Sequence, residues 1–209
     1  MKGHFIALEG GESAGKTTVA RFLKAQLPKR KFLFTREPGG TPLAEKIRAV
    51  MICPEATDTS AETQLALVFA ARLDHVRAKI RPAIQAGKNV VSERFDSATY
   101  AYQIYGQEAP HLKPLFFEYR KLLGKHIPDL YILLDVEPKE GLRRMQANRK
   151  KAEPIDQFEK RGLAFHDRVR KGLLEFMKTV PHVVVNANRP LEIVQQEILG
   201  HIRKMLTKI

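Results

Sequence analysis

Residues 10–17 read Gly10-Gly11-Glu12-Ser13-Ala14-Gly15-Lys16-Thr17, which fits the phosphate-loop pattern G-x-x-x-x-G-K-[ST]. An apolar run at 4–9 precedes this loop and an amphipathic stretch follows it, which is the strand–loop–helix context that the pattern requires. The glycines let successive backbone N–H groups point at phosphate oxygens, and the positive end of the helix adds to them. Lys16 is predicted to reach the β- and γ-phosphates, the Thr17 hydroxyl to coordinate Mg²⁺, and Thr18 to lie near the α-phosphate. The loop therefore predicts a nucleoside triphosphate ligand but leaves the reaction open.

The rest of the chain alternates short apolar runs with longer amphipathic stretches. The apolar runs are rich in Val, Ile, Leu and Phe, and they predict strands buried on both faces at 4–9, 31–35, 89–93, 129–136 and 182–186. Periodicity predicts helices at about 16–27, 42–52, 61–86, 110–125, 156–178 and 190–207. This alternation predicts an α/β fold of the P-loop NTPase type, with a five-stranded parallel sheet flanked by helices on both faces. Ligands of such sheets bind at the carboxyl ends of the strands.

Composition limits the classes of protein that fit. The 209 residues suit a single domain spanning 1–209, and no apolar run approaches the roughly 20 residues that cross a bilayer. The N-terminus lacks the pattern of a signal peptide, and a single cysteine, Cys53, fits a reducing compartment, so a cytoplasmic location is expected. The net charge of +13 suits nucleic acid, an anionic membrane or small phosphorylated ligands. Without a recognisable nucleic-acid-binding module, we expect small phosphorylated partners and neither nucleic acid nor membrane.

Charged side chains cluster where strands and helices should meet the loop crevice. Glu12 is unusual, because an acid in a phosphate loop repels the ligand unless it meets a cation or a sugar hydroxyl. Glu93 closes the run at 89–93 and is predicted to face Mg²⁺ or its waters. Guanidinium groups suit bidentate phosphate contacts, and four arginines bracket the crevice: Arg36, Arg48, Arg72 and Arg94.

A second basic segment follows the run at 129–136. Arg144 is predicted to lie on a helix, and Arg149 follows within a basic stretch before Pro154. One interpretation is a solvated basic loop. The other is a lid at about 144–158 that closes over the phosphates, where a well-placed arginine is worth about 10³–10⁵ in rate.

Together these residues resemble the bacterial thymidylate kinases from end to end. The ordered motifs are the Gly10–Thr18 loop, Thr35-Arg36-Glu37-Pro38-Gly39-Gly40, Phe69-Ala70-Ala71-Arg72, Glu93-Arg94-Phe95, Ala101-Tyr102-Gln103 and Ile155-Asp156-Gln157-Phe158-Glu159. The resemblance implies transfer of the γ-phosphoryl group of Mg²⁺·ATP to dTMP, which yields dTDP and ADP for dTTP synthesis. It also implies a homodimer formed through helices that flank the sheet.

The resemblance further implies roles for the acceptor residues. Arg48 and Arg94 would hold the monophosphate, with Arg36 nearby. Arg72 would donate a hydrogen bond to thymine O4. Thr99 and Gln103 would contact the N3 edge of the base, and Phe69 would lie near thymine. Tyr102 would lie against a ribose 2′-OH, and Glu12 would contact the sugar 3′-OH or the metal.

The resemblance places the catalytic basic residue in the lid, because family members with an acid at the position of Glu12 take it from there. Arg149 is the predicted residue, and Arg144 is predicted to lie near the adenine. Lys16, Arg94, Arg149 and Glu12 thus form the predicted catalytic set.

Three positions outside the lid depart from the family pattern. Glu93 replaces the usual Asp before the Arg-Phe pair, which adds a methylene near the metal. Val68 stands four residues before Arg72, where many relatives have an aromatic ring, and Phe69 is one position away. After Gln103 the chain lacks an arginine that the family usually carries.

Two other functions remain open at this point. A kinase for another nucleotide or for a deoxynucleoside is the nearer one, although Arg48 with Arg94 favours an acceptor that already bears a phosphate. A P-loop ATPase or GTPase acting on nucleic acid is the other. The chain has no Asn-Lys-x-Asp guanine motif, which disfavours a GTPase.

Overall fold

A computed structural model of the chain describes residues 2–148 and 161–207. The strands are β1 (Phe5–Gly10), β2 (Phe32–Arg36), β3 (Asn89–Glu93), β4 (Leu130–Asp135) and β5 (His182–Asn186). The longer helices are α1 (Lys16–Gln26), α2 (Pro42–Ile52), α3 (Ala61–His75), α6 (Lys113–Lys121), α7 (Pro138–Asn148), α8 (Leu163–Met177) and α9 (Leu191–Thr207). The short ones are α4 (Arg81–Gln85) and α5 (Asp96–Thr99), the π-helical segments π1 (Val76–Ile80) and π2 (Tyr100–Gly106), and single 3₁₀ turns at Pro54–Ala56 and Pro110–Leu112. None of the helices in these two ranges is long and apolar enough to cross a membrane.

All five strands pair in parallel in the order β2-β3-β1-β4-β5. β1 lies at the centre of the sheet, so the glycine-rich loop that follows it emerges at the middle of the carboxyl edge. The strands beside it end at Glu93 and Asp135, which brings polar side chains to the same edge. This is the P-loop type of fold that the sequence predicted, and it places the site at the carboxyl ends of the strands.

Successive side chains of the central strands point to opposite faces of the sheet and pack into two separate hydrophobic cores. Phe5 and Ala7 pack on one face, with helices α3, α6 and α8, while Ile6 and Leu8 pack on the other, with α1 and α9. Because a strand points successive side chains to opposite faces, a run of consecutive apolar residues in β1 serves both cores. The result is the predicted three-layer arrangement of helices, sheet and helices.

The structure corrects the predicted elements in three places. The outer strands are not buried on both faces, since β2 and β5 lie at the edges of the sheet and Val184 is 44% exposed. The predicted helix at 61–86 is divided by π1. Residues 96–106, for which no helix was predicted, form α5 and π2.

Candidate active site

The glycine-rich loop is shaped by backbone angles that favour glycine. Gly10 has φ +153° and Gly15, which caps α1, has φ +93°. A Cβ at Gly10 would lie 2.7 Å from the Leu134 carbonyl oxygen, so β1 and β4 leave no room for a side chain there. The loop therefore turns tightly between the central strand and α1, with the predicted nucleotide-binding residues 10–18 in the loop and the first turn of the helix.

Lys16 lies folded against its own loop. Its Nζ donates hydrogen bonds to the Gly10 carbonyl oxygen at 3.0 Å and to that of Gly11 at 2.6 Å. Burial lowers the pKa of Lys16 to about 7, the charge of Arg94 adds to this, and neighbouring carboxylates such as Glu12 oppose it. An anion bound in the loop would stabilise the protonated amine, so this lysine is suited to neutralise phosphate charge.

Two oxygen ligands lie beside the loop. The exposed Thr17 Oγ1 donates a hydrogen bond to Glu93 Oε2 at 2.6 Å, which joins the start of α1 to the end of β3. Within the described residues no group of three or more His, Cys, Asp or Glu side chains could enclose a metal ion. A hydroxyl and a carboxylate alone match the way Mg²⁺ is held in nucleotide sites, where phosphates and water complete the shell.

A cavity of about 270 Å³ opens next to the loop. It contains most of the predicted acceptor residues, and its wall includes Glu12, Arg48, Arg72, Arg94, Thr99, Tyr102 and Gln103. These residues come from the glycine-rich loop, α2, α3, the end of β3, α5 and π2. We call this cavity the acceptor pocket. The structure thus gathers into one place side chains that are up to 91 positions apart in the chain.

Glu12 connects the loop to the acceptor pocket. Its Oε1 accepts hydrogen bonds from Arg94 Nη2 at 2.7 Å and from the Tyr102 hydroxyl at 2.6 Å, and the Arg94 guanidinium lies 4.9 Å from the centre of the Tyr102 ring. Burial opposes ionisation of Glu12, but the charges of Arg94 and Lys16 outweigh it and lower its pKa to about 2. The carboxylate is therefore the counter-ion of two cations, which explains an acid in a phosphate loop.

Arg94 is held in a backbone conformation that is rare for its type. Its φ is +66°, its N–H donates to the Leu8 carbonyl oxygen at 2.8 Å, and its Nη1 donates to the Gly10 carbonyl oxygen at 3.3 Å. A non-glycine residue with positive φ is strained, and such strain concentrates at functional sites. The turn after β3 thereby directs the guanidinium towards the glycine-rich loop.

Arg72 is 1% exposed and forms part of the wall of the acceptor pocket. Its Nε donates to Glu37 Oε2 at 2.7 Å, and its Nη2 donates to the Phe95 carbonyl oxygen at 3.0 Å and to Thr99 Oγ1 at 2.8 Å. Among the residues that the structure describes, Nη1 has no hydrogen-bond partner. A buried donor of this kind calls for an acceptor from a ligand, because leaving it unpaired costs about 1–3 kcal/mol.

Helix α3 presents one face to the pocket at a spacing of four residues. Val68 and Arg72 both line the pocket. Gln64, one turn earlier, accepts hydrogen bonds from Gln103 Nε2 at 3.3 Å and Gln107 Nε2 at 2.6 Å. Gln64 was not predicted from the sequence, although its i, i+4 spacing with Val68 was a signal for it.

Two predicted substrate residues lie elsewhere. Phe69 is 2% exposed and packs against Phe116 and Tyr119, outside the wall of the acceptor pocket, because one residue along α3 turns the side chain by about 100°. Its ring instead supports the Arg72 guanidinium at 4.8 Å. Arg36 is 54% exposed, pairs with Glu45 at 3.0 Å and borders a neighbouring groove with Thr17 and Glu93.

Arg144 lies at the far side of the loop, on α7. Its Nε donates to Glu140 Oε1 at 2.7 Å, and its Nη1 donates to the Ala187 carbonyl oxygen at 2.9 Å, which ties α7 to the turn after β5. The predicted lid at about 144–158 is described only to residue 148, so Arg149 lies outside the described residues.

Glu37 and His75 were not singled out by the sequence, yet they form the buried support of Arg72. Glu37 Oε1 lies 2.9 Å from His75 Nδ1, and both side chains are almost completely buried. Glu37 is 35 positions from Arg72 and 38 positions from His75 in the chain, so no local sequence pattern indicates these contacts.

Comparison with known proteins gives a consistent result. Residues 8–198 match the family model described as thymidylate kinase. The thymidylate kinase of Pseudomonas savastanoi pv. phaseolicola is 42% identical over 202 residues, which cover 95% of this chain and 94% of that protein. The thymidylate kinase of Lactobacillus acidophilus is 37% identical over 213 residues, covering 100% and 97%. The crystal structure of thymidylate kinase from Ehrlichia chaffeensis superposes with a TM-score of 0.74 at 25% identity and covers 97% of this chain and 99% of its own.

Proposed function

The chain belongs to the thymidylate kinase family, whose members phosphorylate dTMP to dTDP with ATP, and we propose the residues through which it performs this reaction. The donor ATP lies with its phosphates in the loop at 10–18. The acceptor dTMP occupies the acceptor pocket, and Glu12 stands between the two.

The donor site binds phosphate through backbone N–H groups and Lys16. The N-terminal end of α1 adds a partial positive charge at the same point. The resemblance to the family puts the adenine at the turn after β5, and Arg144 contacts that turn through the Ala187 carbonyl oxygen, so we place Arg144 near the adenine. Thr17 and Glu93 would hold Mg²⁺, whose charge neutralises that of the β- and γ-phosphates when it is bound.

The acceptor phosphate is held by Arg48 and Arg94, which both line the pocket. Charge-assisted contacts from two guanidinium groups favour an acceptor that carries a phosphate over a nucleoside. Arg94 also faces the loop through its contact with the Gly10 carbonyl oxygen, so it can stabilise negative charge on both sides of the transfer.

The base is recognised by Arg72, Thr99 and Gln103. The unpaired Nη1 of Arg72 suits a carbonyl oxygen such as thymine O4 and leaves a cytosine amino group without an acceptor. A site that pairs the edge of a base in this way rejects a wrong edge by about 10⁴ or more. Tyr102 and Glu12 border the pocket where the sugar would lie, with Tyr102 against the 2′ position and Glu12 near the 3′-OH.

Transfer itself needs no general base, because an oxygen of the acceptor phosphate is already ionised at neutral pH. Catalysis then rests on positioning and on neutralising the charge that spreads over the equatorial oxygens. Lys16 and Arg94 contribute this charge from the described part of the site, and Arg149 of the lid is the further proposed contributor.

The observation that carries the proposal is the acceptor pocket beside the loop, which is lined by Arg48, Arg94 and Arg72, and the Nη1 of Arg72 has no hydrogen-bond partner among the described residues. The test is ADP release from Mg²⁺·ATP with dTMP, dUMP, dCMP, dGMP and thymidine as separate acceptors. We expect fast turnover on dTMP, weaker turnover on dUMP and none on thymidine or dCMP. If dTMP gave only the rate without acceptor, the assignment of the pocket would be wrong.

Substitutions then separate the two ends of the acceptor. Arg94→Ala and Arg48→Ala should each raise the KM for dTMP by about 10- to 100-fold, which corresponds to the 1.5–3 kcal/mol of a hydrogen bond to a charged group. The KM for ATP should change little in Arg48→Ala. A matched arginine on the surface, Arg77, which is 68% exposed, provides the control.

A homodimer in the cytoplasm is also proposed. The helices α2 and α3 pack against each other, and both expose apolar side chains, with Leu43 52%, Val50 54% and Leu73 37% exposed. Light scattering after size-exclusion chromatography should give twice the mass of one chain for the parent protein. The Val50→Glu variant should give the mass of one chain. Ile193→Glu on α9, equally exposed, should leave the dimer intact.

A further inference from the structure

A chain of hydrogen bonds begins at Arg72 and Glu37 in the wall of the acceptor pocket and continues behind them to His75 and Thr35. Thr35 Oγ1 lies 2.7 Å from His75 Nε2, His75 Nδ1 lies 2.9 Å from Glu37 Oε1, and Arg72 Nε lies 2.7 Å from Glu37 Oε2. The side chains of Arg72, Glu37 and His75 are 1%, 2% and 0% exposed. We call these four residues the buried chain.

The buried chain holds the Glu37 carboxylate in place. A carboxylate has only acceptor atoms, so His75 donates from Nδ1 to Glu37, while Nε2 forms a second hydrogen bond with the Thr35 hydroxyl. Each oxygen of Glu37 therefore has its own donor, Nδ1 for Oε1 and Arg72 Nε for Oε2. The carboxylate plane is held from both sides.

The plane of the Arg72 guanidinium depends on this carboxylate. Nε and Nη2 are held by Glu37, Phe95 and Thr99, which leaves Nη1 as the guanidinium nitrogen without a partner among the described residues. Without the imidazole, Glu37 Oε1 would be free to turn to another nitrogen of the same guanidinium. The group would then lose its fixed plane, and Nη1 would no longer be reserved for a ligand.

We propose that His75 is a positioning residue for base recognition, which acts through Glu37 to orient Arg72 towards the carbonyl oxygen of the acceptor base. The proposal rests on the role of Arg72 proposed above. Among the described residues His75 does not itself line the acceptor pocket, but its partner Glu37 and the Arg72 that Glu37 holds both do, so its effect should fall on the acceptor and not on ATP.

His75→Phe keeps a ring of similar size and removes both nitrogens, whereas His75→Asn restores an N–H close to the place of Nδ1. His75→Phe should raise the KM for dTMP by about fivefold, because a misaligned hydrogen bond costs about 1 kcal/mol, and His75→Asn should recover most of that loss. The KM for ATP and kcat should stay within about twofold in both. His111→Asn, at an exposed histidine paired with Glu62, is the matched control and should behave as the parent chain.

Coupling to Arg72 separates positioning from general damage to the fold. In an Arg72→Gln background, His75→Phe should cause no further rise in the KM for dTMP, since residues that act through one another are not additive. Thr35→Val supplies a second variant, in case the buried ring is not tolerated, and should raise the KM for dTMP by about threefold in the parent and not in Arg72→Gln.

The outcomes distinguish the two levels of the proposal. If Arg72→Gln leaves the KM for dTMP unchanged, the proposed role of Arg72 in base recognition fails. If Arg72→Gln raises it but His75→Phe and Thr35→Val do not, or if their effects add to that of Arg72→Gln, His75 is not a positioning residue. A parallel rise in the KM for ATP would likewise overturn the inference.

Discussion

The Glu12 carboxylate lies 2.7 Å from the Arg94 guanidinium and joins the glycine-rich loop to the turn after β3. The contact places the only acid of the loop against a cation of the acceptor pocket. Lys16 lies close enough for its charge to lower the pKa of the same carboxyl group. The donor and acceptor sides are therefore coupled electrostatically before either substrate binds, and the coupling can be measured.

Glu12→Gln should destabilise the protein in a way that depends on pH. The pKa of Glu12 falls from 4.5 in the unfolded chain to about 2 in the folded state, so its stabilising effect is complete above pH 4.5 and is lost as the pH falls towards 2. The free energy of unfolding of the variant should lie about 1–3 kcal/mol below that of the parent at pH 6.5, and the gap should narrow at pH 3.5. Urea denaturation of both proteins at the two pH values checks this. An equal gap at both would contradict it.

Binding of Mg²⁺·ATP should take up a proton above neutral pH. Burial lowers the pKa of Lys16 to about 7, so at pH 8 much of the free enzyme carries an uncharged amine, and bound phosphates should restore the charge. Calorimetric titrations at pH 8 in two buffers of different ionisation enthalpy should give different apparent binding enthalpies, equivalent to an uptake of up to about one proton. Lys16→Met should abolish the difference. Identical enthalpies for the parent chain in both buffers would rule out the proposed titration.

Glu9 should make the protein less stable as the pH rises through neutrality. This carboxyl group is completely buried in β1, its Oε1 accepts the Phe95 N–H at 2.7 Å, and burial raises its pKa from 4.5 to about 7. The folded state binds the proton more tightly, so the stabilisation is complete below pH 4.5 and is lost as the pH rises through about 7. The difference in the free energy of unfolding between the parent chain and Glu9→Gln should change with pH. It should favour the parent at pH 5 by up to about 3 kcal/mol more than it does at pH 8.

Glu9→Gln isolates this effect because it keeps an oxygen for the Phe95 N–H and cannot titrate. The measurement is urea denaturation of both proteins at pH 5, 6, 7 and 8. Histidines titrate in the same range, but they contribute equally to both chains and cancel in the difference. A difference that does not change with pH would show that Glu9 has an ordinary pKa.

The sequence predicted those parts of the site that depend on local pattern. The loop at 10–18, the strand end at Glu93 and the place of Arg36 next to a predicted strand follow from motif and apolar runs, and the structure places them at one edge of the sheet. The helix at 96–106 was missed for a physical reason. Nearly every residue from Asp96 to Ile104 is buried, so this segment shows no polar face and no 3.6-residue period.

Side-chain phase and long-range pairing could not be read from the sequence. Val68 and Phe69 are neighbours in the chain. Which of them faces the pocket depends on how α3 is rotated about its own axis, and the structure turns Val68 to the pocket and Phe69 to the core. Likewise, nothing local pairs Glu37 with His75, because the contact exists only once β2 and α3 have packed together. The sequence therefore predicted the residues of the site better than it predicted the buried residues that hold them in place.

Gly40→Ala should destabilise the protein more than the same change at a glycine in open space. Gly40 has φ +90°, and a Cβ there would lie 2.5 Å from His75 Nε2 and 2.8 Å from Thr35 Oγ1, beside the hydrogen bond that joins these two atoms and too close to both of them. Strain at positive φ costs about 1–2 kcal/mol and overpacking another 1–3, so a loss of about 2–5 kcal/mol in the free energy of unfolding is expected. Gly124→Ala is the matched control, because Gly124 has φ +55° and nothing within 4 Å of a Cβ. It should lose only about 1 kcal/mol, and equal losses in urea denaturation would mean that the packing of His75 against Gly40 has no energetic weight.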